Sequence, residues 1–416
     1  MNVAILTIGS RGDVQPFLAL GIGLKDAGHE VTFATGQGFE EFASGRGLRF
    51  AALDTELFER LQSPEGKAAL SGKSALSTVK EAASMYRRVL DGEWAAATGA
   101  GAEAVVYHPK ALGGYHIAEA LRVPGFLAHP VPMFSPTGAF PNPVLPVADL
   151  GTFFNRSSYG IFLRALTAPF HRTINRWRRE TLGLPPRRLL ADELERGGEP
   201  VPTLICCSPH VVPPPADWDR SATMTGYWFL DDARSWRPPD HLADFLEGGL
   251  PPVYVGFGSL GGWTRQEVVA AALAALKRSG KRGVLATGLG RVPSGVPENV
   301  CVIESAPHEW LFPRMAAVVH HGGAGTTAEG LRAGRPSVIC PTTMNDQLFW
   351  GRRVSELGVG PEPLPQKKLA SEALLTAIRV ATEDDRVCER AAALGEKIRA
   401  ERGVARAVEV IESAAS

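Results

Sequence analysis

The feature that most constrains this chain is a stretch at residues 316–330, in which an apolar run ends in two histidines and a cluster of glycines. The apolar run, residues 316–319, predicts a strand buried on both faces, and the glycines after it predict a turn into a helix that begins near Thr326. Glycines let a ligand approach the backbone, and the free N–H groups and positive dipole end of a helix favour anions. The stretch therefore predicts a parallel α/β sheet with an anion site, such as one for a diphosphate, at a strand end.

Polar side chains follow this strand and the next one. His321 adds a donor at the strand end, and Glu329 lies eight residues further on. A second apolar run, residues 337–340, is followed by Asn-Asp-Gln at residues 345–347. We expect these groups on one rim, where they would hydrogen-bond sugar hydroxyls. Each has a plainer interpretation: His321 as an internally bonded strand-end histidine, Glu329 as a first-turn carboxylate favoured by the helix dipole, and Asp346 as a helix cap.

The N-terminal segment predicts the start of a doubly wound domain. Residues 3–8 are a continuous apolar run typical of a buried strand, and a turn at residues 9–12 leads into a helix predicted from about residue 14 to residue 27. Asp13 would then be the N-cap, and Pro16 would fall in the first turn, where its missing N–H costs nothing. The alternation continues with strands predicted near residues 30–35, 104–107, 125–129 and 202–207, and helices near 74–98 and 114–121.

A Pro-rich connector within residues 211–240 separates this domain from a second βα series. The second series has predicted strands at 253–257, 283–287 and 300–304, a turn at 258–262 and a helix at 265–279. Asp217 and Asp219 in the connector spell D-x-D, a metal-binding pattern elsewhere, but we interpret them as a turn or cap because they do not follow a strand. The predicted division is a first domain at 1–215, a linker at 216–240, a second domain at 241–395, and a C-terminal helix at 396–416 that packs back on the first domain.

Taken together, the motifs resemble a known family. His321-x-Gly323-x-Gly325-Thr326-Thr327-x-Glu329, followed by Asp346-Gln347, is similar to the donor-binding signature of family 1 glycosyltransferases. Further motifs resemble the subgroup of sterol 3-β-glucosyltransferases and bacterial glycopeptide and polyketide glycosyltransferases; they are Gly9-Ser10-Arg11-Gly12-Asp13, Thr225-Gly226-Tyr227-Trp228 and Pro307-His308-x-Trp310. The resemblance implies the GT-B fold, an α/β architecture of two Rossmann-like doubly wound domains facing across a cleft.

The resemblance also implies an activity and a set of site residues. The expected reaction is inverting transfer of a hexose, glucose from UDP-glucose in the first instance, to a hydroxyl of a hydrophobic acceptor such as a sterol or a secondary-metabolite aglycone. Asp13 is the expected catalytic base, with helix capping as the alternative role. The expected donor-binding residues are Ser10, Arg11, Gly12, Ser259, His308, His321, Gly323, Ala324, Gly325, Thr326, Glu329, Asn345, Asp346 and Gln347. The nucleotide sugar is a co-substrate, and no cofactor or metal is expected.

One alternative remains open for the nucleotide base of the donor, and another for the activity of the chain. Many plant relatives stack uracil on a tryptophan three residues before the position of His308, and this chain has Ser305 there. Transfer from a TDP-sugar, including a TDP-deoxysugar, therefore stays open beside UDP-glucose. A non-catalytic helper subunit with the same fold is a second alternative, although the intact Asp13 and donor motif favour an enzyme. A nucleotide-sugar 2-epimerase would need further charged residues around the hexose that the sequence does not identify.

The acceptor side is predicted to lie in the N-terminal half. The prolines of residues 130–146 exclude helix and central strand, so this is a stiff apolar loop after a strand end. We expect it to form a wall of the acceptor pocket. The expected contact residues are His129, Met133, Phe134 and Phe140. Residues 159–182 predict a basic amphipathic helix, which we interpret first as a core-facing helix and second as a weak membrane-surface contact.

Composition narrows the class of protein further. Lys plus Arg equals Asp plus Glu at 44 each, so the charge balance gives no overall attraction to nucleic acid. The five cysteines have no C-x-x-C spacing and are expected to be reduced thiols. No signal peptide, spanning segment or metal motif is recognised, so we expect a cytoplasmic protein without a metal site. The oligomeric state is not predicted.

Overall fold

The computed structural model describes residues 1–56, 75–145, 147–189, 194–231, 236–257, 266–288, 295–342 and 345–415. Within these ranges the chain forms two parallel sheets, each flanked by helices. The predicted turn at 258–262, which includes Ser259, lies outside the described residues, and so does the side chain of Asn345. The two sheets confirm the predicted architecture of two doubly wound domains.

The first sheet has seven parallel strands. They are β1 (Asn2–Leu6), β2 (Glu30–Gly36), β3 (Arg49–Leu53), β4 (Ala104–Tyr107), β5 (Gly125–His129), β8 (Thr203–Ile205) and β9 (Ala222–Met224). Their order is β3-β2-β1-β4-β5-β8-β9. A separate antiparallel hairpin joins β6 (Glu195–Arg196) to β7 (Glu199–Pro200). The central strands are buried on both faces, which is why they are continuous apolar runs in the sequence.

Two strands of this sheet were not predicted. β3 is an edge strand that begins with Arg49, and its apolar residues 50–53 are mostly only half-buried or exposed. β9 has three half-buried residues and lies inside the predicted linker at 216–240. Trp228 and Leu230, further along the same linker, belong to the core of the first domain. Much of the predicted linker is therefore part of the first domain.

Helices cover both faces of the first sheet. They are α1 (Arg11–Asp26), α2 (Glu40–Ser44), α3 (Ala75–Gly99), α4 (Gly114–Leu121), α5 (Thr152–Thr167) and α6 (His171–Glu180), with 3-10 turns at Gln37–Phe39 and Ala168–Phe170. The bounds predicted for α4 are confirmed. The predicted single helix at 159–182 is wrong, because the chain forms α5 and α6 with a 3-10 turn containing Pro169 between them.

The start of α1 also corrects the sequence analysis. α1 begins at Arg11 with Ser10 as its N-cap, so Asp13 is the third helical residue and not the cap. Pro16 consequently lies in the second turn and not the first. The reason is a capping box, in which the side chain of Asp13 accepts from the Ser10 N–H at 2.8 Å.

The second sheet has five parallel strands. They are β10 (Val253–Gly256), β11 (Gly283–Ala286), β12 (Val300–Ile303), β13 (Ala317–His320) and β14 (Ser337–Ile339), in the order β12-β11-β10-β13-β14. The helices of this half are α7 (Asp240–Glu247), α8 (Gln266–Ser279), α9 (His308–Leu311), α10 (Ala324–Arg332), α11 (Asn345–Glu356), α12 (Ser371–Glu383), α13 (Asp385–Arg399) and α14 (Gly403–Ala415), with 3-10 turns at Phe312–Arg314 and Gln366–Lys368.

Two contacts hold the domains together. An apolar cluster joins Val211 and Tyr227 of the first domain to Leu331 and Trp350 of the second. Beside this cluster the Arg353 guanidinium donates to the Val211 carbonyl at 2.7 and 3.1 Å. The last helix, α14, then crosses back onto α1 of the first domain, where Ala407, Val408 and Ile411 enter the core. The ring of His29 lies 2.9 Å from the Glu412 carboxylate at the same contact.

Candidate active site

The site lies where the strand order of each parallel sheet reverses. In the first sheet β1 lies between β2 and β4, so the loops after β1 and β4 leave toward opposite faces and open a crevice at the carboxyl ends. In the second sheet β10 and β13 are the corresponding pair. The residues after β1 and β4 form what we call the first rim, Ser10 to Asp13 and His108 to Lys110. The residues after β13 and β14 form the second rim, His321 to Glu329 and Asp346 to Gln347.

Asp13 is the centre of the first rim, and its two carboxylate oxygens have different partners. Oδ2 accepts from the Ser10 backbone N–H at 2.8 Å and from the Ser10 hydroxyl at 2.9 Å. Oδ1 accepts from the Lys110 ammonium at 2.8 Å and lies 3.5 Å from Nε2 of His108. The side chain keeps 18% of its surface exposed. Oδ2 therefore stabilises the turn at Ser10, while Oδ1 contacts the side chains that follow β4.

His108 is oriented by its neighbour along the chain. Its Nδ1 accepts from the Lys110 backbone N–H at 3.1 Å, which assigns the ring proton to Nε2, on the side of Asp13. The edge of the ring packs against Phe17, with 5.5 Å between ring centroids. Burial lowers the pKa of His108 to about 3, more than the negative charge of Asp13 raises it. His108 is therefore a neutral donor aimed at Asp13.

The ionisation of Asp13 follows from two opposing effects. Burial raises the pKa of Asp13, while the Lys110 ammonium and the hydrogen bonds from Lys110 and Ser10 lower it. The charge and hydrogen bonds prevail, so the pKa of Asp13 lies below its usual value. Asp13 is consequently a carboxylate near neutral pH.

The second rim is built around the N-terminus of α10. Gly323 is the N-cap and has no side chain, and the first helical bond is made by Thr327, whose N–H donates to the Gly323 carbonyl at 2.9 Å. The N–H groups of Ala324, Gly325 and Thr326 therefore have no partner within the helix. A Cβ added to Gly325 would meet no atom of the described residues within 4 Å, so these residues leave open space beside the start of α10. This is the geometry of an anion site.

Two histidines flank this anion site. Burial lowers the pKa of His321 to about 4, and its Nδ1 has no hydrogen-bond partner among the described residues. The ring of His308 stacks on Phe312, with centroids 4.3 Å apart and planes 14° apart. Burial, followed by the charges of Arg11 and His321, lowers the pKa of His308 to about 4. Both rings are thus neutral, and they contribute hydrogen bonds rather than charge. His320 instead packs within the protein, where its Nδ1 accepts from the Gly322 N–H.

Glu329 lies in the second turn of α10, so the first-turn interpretation is wrong. Burial raises the pKa of Glu329 to about 7, although the Arg332 guanidinium, 3.9 Å away, lowers it. Arg332 makes its shorter ion pair with Asp231, at 2.5 Å. Glu329 is therefore a mostly buried carboxyl group that changes charge near neutral pH.

Asp346 and Gln347 begin α11. Gln347 is buried, and its Oε1 accepts from the Thr342 N–H at 2.8 Å and the Thr342 hydroxyl at 2.9 Å. This amide therefore fixes the loop after β14, and its backbone packs under Gly322. Asp346 lies in the first turn of the helix and is half-buried. The structure therefore places Asp346 on the second rim, whereas Gln347 supports the loop after β14.

The two rims act on each other across the cleft. Burial raises the pKa of Asp346, and the charge of Asp13 raises it further while Lys110 lowers it. Arg11 of the first rim acts in the same way on His308 of the second domain. Together with the contact between Phe140 and Phe349 of α11, these interactions indicate that the carboxyl ends of the two sheets lie toward one another. Ser10, Arg11 and Gly12 are exposed on this side of α1.

The predicted acceptor residues lie beside the first rim. His129 ends β5, next to β4, and neither of its ring nitrogens has a hydrogen-bond partner among the described residues. Its ring lies 5.3 Å from Phe134, and both side chains are buried. Met133 and Phe140 are only half-buried, and Phe140 reaches Phe349 of α11 with 6.1 Å between centroids. The apolar loop thus runs from the end of β5 to the second domain.

Asp217 and Asp219 have structural roles. Asp217 accepts from the Thr137 hydroxyl at 2.6 Å and the Gly138 N–H at 2.8 Å, and so ties the connector to the apolar loop. Asp219 accepts from the Ser221 N–H at 2.8 Å, as in a local turn. In the described ranges no three His, Cys, Asp or Glu side chains lie together as a metal site would require. Among the described helices, none is long and apolar enough to cross a membrane.

Sequence reasoning missed two residues of the first rim. Lys110 and His108 were not among the predicted site residues. Both directly follow β4, and the available signal was a buried strand that ends in polar residues. The pattern predicts a contact with Asp13 only once β4 is known to pair with β1, which lies about one hundred residues earlier in the chain.

Comparison with known proteins agrees with this geometry. Residues 3–137 match the model of the glycosyltransferase family 28 N-terminal domain, and residues 285–413 match that of the erythromycin biosynthesis protein CIII-like C-terminal domain. The chain is 37% identical to a sterol 3-beta-glucosyltransferase of Emericella nidulans over 99% of its own length and 30% of the relative's. It is 36% identical to a sterol 3-beta-glucosyltransferase of Arabidopsis thaliana, with 98% of this chain and 67% of the relative covered.

Solved structures give the same fold. A glycosyltransferase of kitacinnamycin aligns with a TM-score of 0.75 at 20% identity, covering 100% of this chain and 99% of that one. The calicheamicin glycosyltransferase CalG4 aligns with a TM-score of 0.71 at 19% identity, covering 99% of this chain and 97% of that one. Two facing doubly wound domains with an anion site at the cleft define the GT-B class of glycosyltransferase folds. Within that class, the chain belongs to the family of the sterol 3-beta-glucosyltransferases. The chain spans about three tenths of the length of its fungal relatives.

Proposed function

We propose that this chain transfers a hexose from a nucleoside diphosphate sugar to a hydroxyl group of a hydrophobic acceptor, with inversion at the anomeric carbon. The proposal is carried by the placement of Asp13 after β1 and of the N-terminus of α10 after β13, at the carboxyl ends of two sheets that the apolar loop connects where Phe140 contacts Phe349. The first supplies a carboxylate to receive a proton, and the second supplies unpaired N–H groups to receive a diphosphate. Both are needed for displacement at an anomeric carbon.

The proposed reaction is a single displacement. The acceptor oxygen forms a bond to the anomeric carbon as the bond from that carbon to the diphosphate oxygen breaks. Asp13 takes the acceptor's proton through Oδ1, and the N–H groups of Ala324, Gly325 and Thr326 stabilise the charge on the leaving diphosphate. His321 adds a neutral donor at the same site, while Glu329 and Asp346 accept hydrogen bonds from sugar hydroxyls. No covalent enzyme intermediate forms, and no metal takes part in the proposed step.

Lys110 and His108 support Asp13 in this scheme. The ammonium of Lys110 holds the carboxylate ionised, which keeps the base in its active form, but it also occupies Oδ1. The acceptor hydroxyl therefore competes with Lys110 for that oxygen. Lys110 keeps two-fifths of its side chain exposed, so its ammonium has room to withdraw into water when the acceptor binds. Nε2 of His108 lies 3.5 Å from the same oxygen and helps to keep the carboxylate oriented.

The donor is proposed to be UDP-glucose, and the acceptor a sterol or a comparable polycyclic alcohol. The support is the activity for which the relatives are named, since they are sterol 3-beta-glucosyltransferases at 36% and 37% identity. A thymidine nucleotide is the second candidate, because a glycosyltransferase of similar fold from Streptomyces was solved with thymidine diphosphate. Ser305 is exposed and offers no aromatic surface to either base. We place the reaction in a reducing compartment such as the cytoplasm, since all five cysteines are free thiols.

Product formation tests the proposal directly. The full chain is incubated with UDP-glucose and a panel of sterols, flavonoids, macrolides and aromatic polyketides in the presence of EDTA, and products are detected by mass spectrometry. Addition of one hexose to an acceptor is the expected result, and the anomeric configuration of the product by NMR tests inversion. A parallel reaction with TDP-glucose and TDP-deoxysugars separates the two donors. Nucleotide binding without transfer to any acceptor would favour a helper subunit and overturn the proposed activity.

A further inference from the structure

An exposed apolar patch lies on the outer side of the acceptor loop. In the described ranges the exposed large apolar side chains are Val147, Leu150, Phe153, Phe154, Ile161, Leu189 and Leu250. The first five of these fall within 15 residues, at the start of α5 and in the segment before it. We call these five residues the α5 patch. Phe153 is 76% exposed and Phe154 is 59% exposed, with their rings edge to face at 5.6 Å.

One face of α5 is buried and the opposite face is exposed to solvent. Asn155, Ser158 and Tyr159 are buried against the first domain, while Phe153, Phe154 and Ile161 point to solvent. The outward residues recur at the spacing of one helix face, so the helix has an apolar stripe on the side that does not meet the core. Two neighbouring phenylalanines in water are unfavourable, and exposed apolar patches of this kind mark interaction sites.

The inner face of α5 is bonded to the acceptor loop. The Asn142 backbone N–H donates to the Ser158 hydroxyl at 2.8 Å, and the Asn155 amide donates to the Gly138 carbonyl at 3.0 Å. Phe162 packs on Phe134, with 5.6 Å between ring centroids. The α5 patch is thus separated from the candidate acceptor residues by the thickness of one helix.

Exposed cations outnumber acidic groups on α5 and α6, although the whole chain is neutral. Residues 147–180 contain six arginines and two acidic residues, Asp149 and Glu180; of the arginines, Arg178 is buried and pairs with Glu119, and Arg156 pairs with Asp217. Arg164 is exposed on the outward face of α5, and its guanidinium lies back along the helix over Gly160. Arg172, Arg176 and Arg179 are exposed on α6. The two acidic groups have partners: Asp149 accepts from Gly151 and Asn155, and Glu180 pairs with Arg87.

We propose that the α5 patch docks the enzyme on the surface of a bilayer that contains anionic lipids. Aromatic and aliphatic side chains enter the boundary between headgroups and acyl chains, and the arginines pair with phosphate and carboxylate headgroups. The combination of an apolar stripe with flanking cations fits such a surface better than it fits a second copy of this neutral chain. Docking would place the acceptor loop against the membrane, where a lipid alcohol is dissolved. This last consequence rests on the proposed function, whereas membrane binding itself does not.

Vesicle flotation tests the docking. The full chain is mixed with vesicles of phosphatidylcholine, or of phosphatidylcholine with a minority of phosphatidylserine, and the floated fraction is measured at low and high salt. We expect binding to the phosphatidylserine vesicles that weakens with salt. The double substitution Phe153→Ser/Phe154→Ser should lower the partition coefficient by about tenfold or more. Arg164→Ser should lower it by about fivefold on the anionic vesicles alone.

Two matched controls are available. Leu250 is 82% exposed and lies far along the chain in the second domain, so Leu250→Ser removes an equally exposed apolar side chain outside the α5 patch. Arg379, exposed on α12, gives the corresponding control for Arg164. Equal losses in the control and patch variants, or no flotation of the unaltered chain, would overturn the docking. Concentration-dependent dimerisation that the double substitution abolishes, without any flotation, would overturn it in favour of self-association.

Activity measurements separate this inference from the proposed function. The double variant should transfer glucose normally to a sterol presented in cyclodextrin, and poorly to the same sterol presented in vesicles. Normal transfer from vesicles by this variant would overturn the docking while leaving the transferase intact. Flotation with no transfer in either format would overturn the proposed function while leaving the docking intact.

Discussion

The two rims of the cleft differ in the kind of groups that they present. The first rim gathers charged side chains that are already paired, with Asp13 held by Lys110, His108 and Ser10. The second rim presents backbone N–H groups and neutral histidines around open space. Proton transfer needs a side chain with a tuned pKa, whereas anion binding needs donors that hold their orientation without changing charge. In the reaction that we propose, the first domain therefore accepts the proton and the second holds the leaving group.

Removing the carboxylate should have the largest effect. Asp13→Asn keeps an oxygen for the Ser10 N–H but cannot take a proton, so we expect turnover to fall by roughly two to four orders of magnitude. The free energy of unfolding should change by only about 1 kcal/mol, because the released Lys110 ammonium is hydrated. Turnover and thermal melting are measured together. The control is Asp54→Asn, which breaks another ion pair of the first domain, between Asp54 and Arg88. Matching losses in both variants would reduce Asp13 to a structural role.

Filling the space in front of α10 should have the next largest effect. Gly325→Val adds a side chain where no atom of the described part of the chain lies within 4 Å of the new Cβ, so we expect folding to be preserved while approach of a diphosphate is blocked. We expect the Kd for UDP to rise by about tenfold to a hundredfold, the value of one or two lost hydrogen bonds. Calorimetric titration measures it. Gly38→Val, at another glycine with open space, is the control. An unchanged Kd would mean that the anion binds elsewhere.

Removing the Lys110 charge should alter the pH dependence of the reaction. Lys110 lowers the pKa of Asp13, so Lys110→Met should raise that pKa and move the acidic limb of kcat/KM to higher pH. Stability should respond in the same sense: a carboxylate with a lowered pKa contributes stability above its unfolded pKa that is lost as pH falls through the folded pKa. The variant should therefore lose less stability on acidification than the unaltered chain. pH–rate profiles and pH-dependent melts check both statements.

A control and a contrary result define this test. Lys25→Met removes an exposed cation that bonds the Arg46 carbonyl elsewhere in the first domain, and it should leave the acidic limb in place. An acidic limb that does not move in Lys110→Met would show that Asp13 is not the group whose ionisation governs the rate.

Replacing Glu329 should have the smallest effect, and that effect should be seen mainly above pH 7. Its pKa of about 7 means that it accepts hydrogen bonds as a carboxylate only above that pH. We expect Glu329→Gln to weaken UDP-glucose binding by less than about tenfold above pH 7, and hardly at all below it. Because burial raises this pKa, Glu329 contributes stability at low pH that is lost as pH rises through about 7, and the variant should melt higher on the alkaline side. Glu389→Gln, exposed on α13, is the control. A loss of affinity that is equal at all pH values would contradict this role.

The two rims also differed in how far sequence could predict them. The second rim is written in one continuous stretch, since β13, its glycines and α10 follow each other directly, and local patterns suffice for that arrangement. The first rim is assembled from β1 and β4, which are distant in sequence and meet only through sheet pairing. Asp13 was therefore predicted as the base, while Lys110 and His108 were not recognised as its partners.

Smaller errors have the same origin in contacts that a local pattern does not contain. The N-cap of α1 was placed at Asp13 because an aspartate before an apolar run is a common cap, whereas the observed capping box uses Ser10 together with Asp13. β9 was missed because its three residues are half-buried and flanked by proline-rich sequence, and its strand character depends on pairing with β8. In contrast, the bounds of β4, β5 and α4 follow from burial and periodicity alone.

The return of α14 onto α1 has a consequence for recombination between relatives. The last helix is encoded after the second domain but its apolar residues belong to the core of the first. A gene fusion that exchanges donor domains at a single crossover in the connector would join a foreign α14 to the native α1, and the mismatch would fall in that core. Hybrid enzymes should instead be built with two crossovers, the second between Arg399 and Gly403, so that the closing helix stays with the domain on which it packs. In this fold the segments that have to be exchanged together are not contiguous in the sequence, because α14 belongs with the first domain.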